Sequence, residues 1–119
     1  MAFTYRLTER ENTAVLTMGG KLVDKAEATE VSADTEEALR KGFGRFIVDL
    51  SDLEYMNSTG LNILINVMNK TRNNGGDAVI VGVKPRIRSL FSVTKLDTVF
   101  TMKSGVDEAF THFEQTAKK

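Results

Sequence analysis

The sequence predicts an α/β fold with about four helices, built on a mixed sheet that is mostly parallel after an N-terminal antiparallel hairpin. Helix-spaced apolar stripes recur between short apolar runs in the order β-β-α-β-α-β-α-β-α, an alternation that builds parallel sheets through right-handed crossovers. The run Phe46, Ile47, Val48, Asp49, Leu50 is apolar apart from Asp49, as an interior strand covered on both faces requires. Phe3, Tyr5 and Leu7 alternate with Thr4, Arg6 and Thr8, the period of a half-buried strand.

Each element follows from its own signals. After the polar break 9–12, Ala14, Leu16 and Met18 share one face and complete the hairpin, and Gly19-Gly20 punctuates it as a turn. Asp24 caps a first helix with Glu27 three residues on, and Ala28, Val31, Thr35, Ala38 and Leu39 form its stripe before Gly42 and Gly44. The central strand leads into a loop, 51–57, and Ser58 starts a second helix with Leu61, Leu64, Ile65 and Met68 at helical spacing, widened by Ile63 and Val67. Asn73, Asn74, Gly75 and Gly76 stop it, because these residues tolerate the left-handed backbone that ends helices. A strand follows at 78–83, and Pro85 opens a third helix with the stripe Ile87, Leu90, Phe91 and Thr94. A short strand at 98–101 precedes Ser104, which with Asp107 has the pattern of a capping box, and Val106, Ala109, Phe110 and Phe113 make the last helix amphipathic.

Composition narrows the function classes. A chain of 119 residues, 41% hydrophobic and 27% charged, fits one domain over 1–119. Its 16 basic residues balance 16 acidic ones, so no global charge draws it to nucleic acid or to anionic lipid. The balance hides a mild split, −4 over residues 1–60 (7 basic, 11 acidic) and +4 over 61–119 (9 basic, 5 acidic). With no Cys and a single His there is no thiolate nucleophile, disulfide frame or zinc cluster, and no cofactor or metal motif is present. Residues 1–12 are too polar for a signal peptide, and the longest apolar stretch, 78–83, is far short of the roughly 20 residues of a membrane span, so a cytoplasmic protein with no membrane insertion is expected. A balanced surface without an obvious apolar patch suits a monomer or weak dimer.

Ser58 is the residue that location singles out. It follows the carboxyl end of an interior strand and begins a helix, where α/β sheets place ligand sites and where unpaired amide donors and the helix dipole favour an anion. Gly60 leaves backbone room beside it. The same position suits a plain helix cap, by Asn57 or by Ser58 itself, although Leu61 stands where a reciprocal capping box would need Glu or Gln. Nucleophilic catalysis lacks its accessories: there is no G-x-S-x-G elbow, and His112 lies off the stripe of the last helix and reads as solvated, so no enzyme activity is expected. Lys84, Arg86, Arg88 and Lys95 read as the wet side of the third helix. Met56 stands in an otherwise polar loop, where it suits either a protein contact or a place in the core.

The segment Asp49-Leu50-Ser51-Asp52-Leu53-Glu54-Tyr55-Met56-Asn57-Ser58-Thr59-Gly60-Leu61 resembles the signature of the STAS domain (sulfate transporter and anti-sigma factor antagonist). Gly20-Lys21-Leu22, Asn74-Gly75-Gly76 and Leu90-Phe91 sit where that family has similar residues, and the length is similar to that of the stand-alone bacterial anti-sigma factor antagonists. The resemblance implies a partner-switching regulator that is not an enzyme. The serine matching Ser58 is then phosphorylated by a cognate anti-sigma factor/serine kinase and restored by a PP2C-type phosphatase, with Thr59 as a second acceptor. The surface that meets the kinase is expected to comprise Asp24, Met56, Asn57, Ser58, Thr59, Gly60, Leu61 and Asn62. The family commonly has Asp at Asn57 and an acidic residue at Val23, with Asp24 here one place later. These departures suit an alternative, a non-phosphorylated STAS adaptor subunit of a larger complex, such as one with a transport ATPase.

Overall fold

The structure is a computed structural model that describes residues 3–117. Its elements are β1 (Thr4–Arg10), β2 (Thr13–Leu22), α1 (Ala26–Arg40), β3 (Arg45–Met56), α2 (Ser58–Asn73), β4 (Asp77–Val81), α3 (Pro85–Val93), β5 (Thr101–Lys103) and α4 (Val106–Ala117). The strands lie in the order β1-β2-β3-β4-β5, antiparallel between β1 and β2 and parallel thereafter. Each parallel strand is laid down beside its predecessor in the same direction across the sheet, so crossovers of one hand place α1, α2 and α3 on one face. That face holds the larger core, in which Leu16, Met18, Phe46, Val48 and Ile80 meet Val31, Leu64 and Phe91. The opposite face, through Val15, Ile47, Val79 and Val81, is covered by Ala109 and Phe113 of α4. The apolar run Phe46–Val48 of β3 thus has helices on both sides, as its sequence predicts.

Local chemistry sets most boundaries where the sequence places them. The hairpin turns at Glu11 (φ 49°) and Asn12 (φ 64°), and two successive left-handed residues match the right-handed twist of the flanking strands. The predicted cap of α1 forms: the Asp24 carboxylate accepts from the Ala26 N–H at 3.1 Å and the Glu27 carboxylate accepts from the Asp24 N–H at 3.2 Å. Val31, Thr35 and Ala38 are buried and Leu39 half-buried, while the side chain of Ala28 lies outside the described residues.

Several elements differ from the expectation. Gly19 and Gly20 continue β2 instead of turning it, because register shifts on either side of them, with Gly20 at φ 79°, keep the strand paired to Leu22. β3 runs on through the segment predicted as a loop. β4 stops at Val81, since Gly82 turns the chain at φ 69° and packs on Ser51. Thr94 is exposed and hydrogen-bonds back to the Leu90 carbonyl instead of joining the apolar stripe. The segment around 98 is a 3-10 turn, Leu96–Thr98, and the strand comes after it as β5. The Arg72 side chain fixes that turn, stacking 4.8 Å from the Phe100 ring centre and donating to the Val99 carbonyl. Ser104 bonds Glu108 and not Asp107: its hydroxyl donates to Oε1 at 2.6 Å and its N–H to Oε2 at 3.2 Å, because α4 begins two residues later and Glu108 is then in the third position. Those hydrogen bonds hold the Glu108 carboxyl below the usual carboxylate range. His112 is half-buried rather than solvated, with Nε2 3.5 Å from Asp77 Oδ2, because α4 crosses the start of β4.

Tyr5 joins β1 to α1 by donating its hydroxyl proton to Asp34 Oδ2 at 2.7 Å. Burial and the Asp34 carboxylate beside it push the Tyr5 phenol up to about 12. The raised value means that this contact is fully present below the ordinary tyrosine pKa, about 10, and is lost as pH rises from there through the folded value. Alkaline titration of wild type against Tyr5→Phe is expected to show the Tyr5 phenolate absorbance emerging near pH 12. Emergence near pH 10 in the folded protein would remove the Asp34 contact.

Candidate functional site

The site lies at the carboxyl ends of β2 and β3, where α2 begins. β3 stays paired with β2 past the bulges, Gly19 opposite Asp52, Gly20 opposite Leu53, Lys21 opposite Tyr55 and Leu22 opposite Met56. Burial along it falls at Leu50, Leu53 and Met56, with Ser51, Asp52, Glu54 and Tyr55 exposed. The register shifts spread the buried positions to every third residue, so the strand looks like a polar loop in sequence.

Asn57 then terminates the strand in an extended conformation (φ −104°, ψ −171°) and caps α2, its Oδ1 accepting from the Gly60 N–H at 3.0 Å. Such a cap contributes about 1 kcal/mol. Asn performs it as Asp would, so the departure at Asn57 changes charge and leaves the backbone geometry in place. Because Asn57 does the capping, the hydroxyl of Ser58 is released from that task. Ser58 is the first helical residue, its side chain is exposed, and it makes no hydrogen bond among the described residues. The first amides of a helix have no intrahelical acceptor, and the first turn of α2 holds no acidic side chain, so an anion placed there would meet donors and a favourable dipole.

Of the residues predicted to form the surface, Ser58 and Asn62 are exposed, Asn57 and Thr59 half-buried, and Asp24 is exposed in the turn before α1. Met56, Gly60 and Leu61 are corrections. Met56 is 2% and Leu61 5% exposed, both in the larger core, because they close the gap between the end of β3 and the underside of α2. Gly60 does not leave space for a ligand: a Cβ there would stand 2.0 Å from the Leu22 carbonyl oxygen and 2.8 Å from Met56 Cγ. These three residues seat the helix start on β2. Tyr55, 43% exposed near the end of β3, and Val23, 38% exposed just past the end of β2, are large hydrophobic side chains left exposed at this end of the sheet. An aromatic residue in a polar run beside a helix start is the signal that would have singled out Tyr55. His112 belongs to α4, on the other face of the sheet from α2, and among the described residues no group of three His, Cys, Asp or Glu side chains is placed to hold a metal.

An exposed, unbonded hydroxyl at a helix start, on a floor of paired strands and core side chains, defines a small α/β domain that presents a serine-centred surface. The chain belongs to the STAS domain family, whose model matches residues 4–109. It is 27% identical over 93 residues to BtrV of Bordetella bronchiseptica, a protein assigned as an anti-sigma factor antagonist, covering 78% of this chain and 80% of BtrV. Its fold is similar to that of an anti-sigma factor antagonist from Mycobacterium paratuberculosis, with a TM-score of 0.79 at 22% identity over 93% of each chain. It is also similar to the Bacillus cell fate determinant SpoIIAA in its phosphorylated form, with a TM-score of 0.71 at 19% identity over 92% of this chain and 99% of SpoIIAA.

Proposed function

We propose that this protein is an anti-sigma factor antagonist in a partner-switching pathway, which binds an anti-sigma factor/serine kinase when Ser58 is unmodified and leaves it when Ser58 is phosphorylated. The observation that carries the proposal is the division of labour at the start of α2, where Asn57 caps the helix and Ser58 stands exposed with a free hydroxyl. The name of BtrV and the existence of a solved phosphorylated SpoIIAA support it. Phosphorylation adds about −1.5 to −2 charge and three acceptor oxygens. At the first position of a helix that charge costs the fold little, whereas inside a docked contact it brings desolvation and repulsion. A PP2C-type phosphatase then resets the switch. The balanced charge suits a protein partner better than nucleic acid, the described helices include none long and apolar enough to cross a membrane, and the working unit is a monomer or weak dimer.

The test is intact mass after incubation with the cognate kinase and ATP: one phosphate on wild type and none on Ser58→Ala is expected, and no addition, or equal addition to both, rejects the switch. Ser58→Asp is expected to weaken kinase binding at least tenfold with Tm nearly unchanged, the signature of a charge placed in an interface. The adaptor reading has its own observations, the uncharged Asn57 and the exposed Val23. Retention of the same transport ATPase by wild type and Ser58→Asp would select it.

A further inference from the structure

Ser58 heads a row of asparagines that phosphorylation does not use. Asn62, Asn66, Asn69 and Asn73 are all exposed on α2, and at 100° per residue they fall with Ser58 inside an arc of about 80°. Their four side chains make no hydrogen bond among the described residues. Asparagine is a poor helix residue because its carboxamide competes for backbone groups. A helix needing only a solvated face would carry Glu, Lys or Gln there, and the exposed positions of α1 do include Glu30, Glu36, Glu37 and Arg40.

The exposed face of α2 instead avoids charge. Residues 55–69 contain no Asp, Glu, Lys or Arg in a chain that is 27% charged. Depletion of charge marks the centre of a protein contact, and in antibody paratopes Asn supplies adaptable hydrogen bonds. The row also borders a groove of about 500 Å³ between α1 and α2, lined by Ser32, Asn66, Asn69, Lys70 and Asn73 over Val67. Lys70, the cation in that lining, is already engaged by Glu36 Oε1 at 2.5 Å. An anionic or cationic ligand thus finds no free counter-charge in the groove.

We infer that the contact centred on Ser58 extends along α2 to Asn69, for about 17 Å, and that its occupant is a neutral, polar surface of the same partner protein, whose peptide groups and uncharged side chains pair with the carboxamides. A stable protein contact covers about 800 Å² on each side, more than the single turn around Ser58 offers, and the row is the uncharged surface continuous with that turn. The inference rests on the reading of Ser58 as a partner contact.

The test is the triple variant Asn62→Ala, Asn66→Ala, Asn69→Ala beside wild type and Ser58→Asp, with calorimetry against the purified serine kinase that wild type retains. Better helix formers at exposed sites are expected to raise Tm by about 4–8 °C, while affinity for the kinase falls at least tenfold. A row that is only solvated gives the rise in Tm with affinity unchanged, and this overturns the inference while leaving the Ser58 switch standing. A fall in Tm would show the row serving the helix itself, and unchanged kinase affinity with altered self-association in sedimentation would make a second copy the occupant. Either result overturns it. If wild type retains no serine kinase, the Ser58 reading fails and the inference falls with it.

Discussion

Gly60→Ala is expected to destabilise the protein by about 3 kcal/mol and to lower Tm by about 10 °C. A Cβ at this position would stand 2.0 Å from the Leu22 carbonyl oxygen, 3.0 Å from the Leu22 carbonyl carbon and 2.8 Å from Met56 Cγ. The obstacle is backbone, and Leu22 is fully buried at the end of a strand paired with Met56, so it has no route of retreat. Relief requires α2 to lift from the sheet at the very turn that carries Ser58. Intrinsic propensity has the opposite sign, since Ala in a helix is favoured over Gly by about 1 kcal/mol, and the clash must first overcome that gain. Gly44→Ala is the control, because its Cβ would meet nothing within 4 Å and its φ lies outside the left-handed region. Thermal unfolding of both variants decides the matter. A Gly60→Ala protein as stable as Gly44→Ala would mean that α2 is not held against the Leu22 carbonyl.

The same turn shows where the sequence could be read and where it could not. The order of elements, the hairpin, the burial of β3 on both faces and the start of α2 at Ser58 all follow from periodicity and capping residues, which act over a few neighbours. The continuation of β3 through Met56 does not, because it depends on bulges in β3, opposite Gly19 and Gly20 of β2, that convert a two-residue burial period into a three-residue one. Gly20 looks like a turn residue for the same reason that it fits opposite the bulges of β3, its freedom to hold φ 79°. Ser104 chose Glu108 over Asp107 because the helix starts two residues past it, and start positions are what sequence fixes least well. At the site, two candidate caps are legible at Asn57 and Ser58, and only the folded backbone divides their labour. His112 is half-buried because of a tertiary neighbour, Asp77, 35 positions away, which no local pattern on α4 could report.

Met56→Ala is expected to cost about 3 kcal/mol, the usual price of deleting a long side chain from a packed core. Met56 is 2% exposed and belongs to the cluster that includes Leu22, Leu53, Leu61 and Leu64. Its Cγ also lies where a substituent on Gly60 would go, so it fills the wedge between β2, β3 and the first turn of α2. Met56→Leu keeps most of that volume and is expected to stay within about 1.5 kcal/mol of wild type. Chemical denaturation separates this account from the sequence's other option for Met56, an exposed contact. An exposed contact gives Met56→Ala a midpoint near that of wild type and a direct loss of partner binding. A core wedge gives the reverse order: stability falls first, and binding measured well below the lowered Tm suffers only as far as the Ser58 turn loses its seat. If Met56→Ala and Met56→Leu unfold at the same denaturant concentration as wild type, the wedge is absent and the floor beneath Ser58 must be built by other residues.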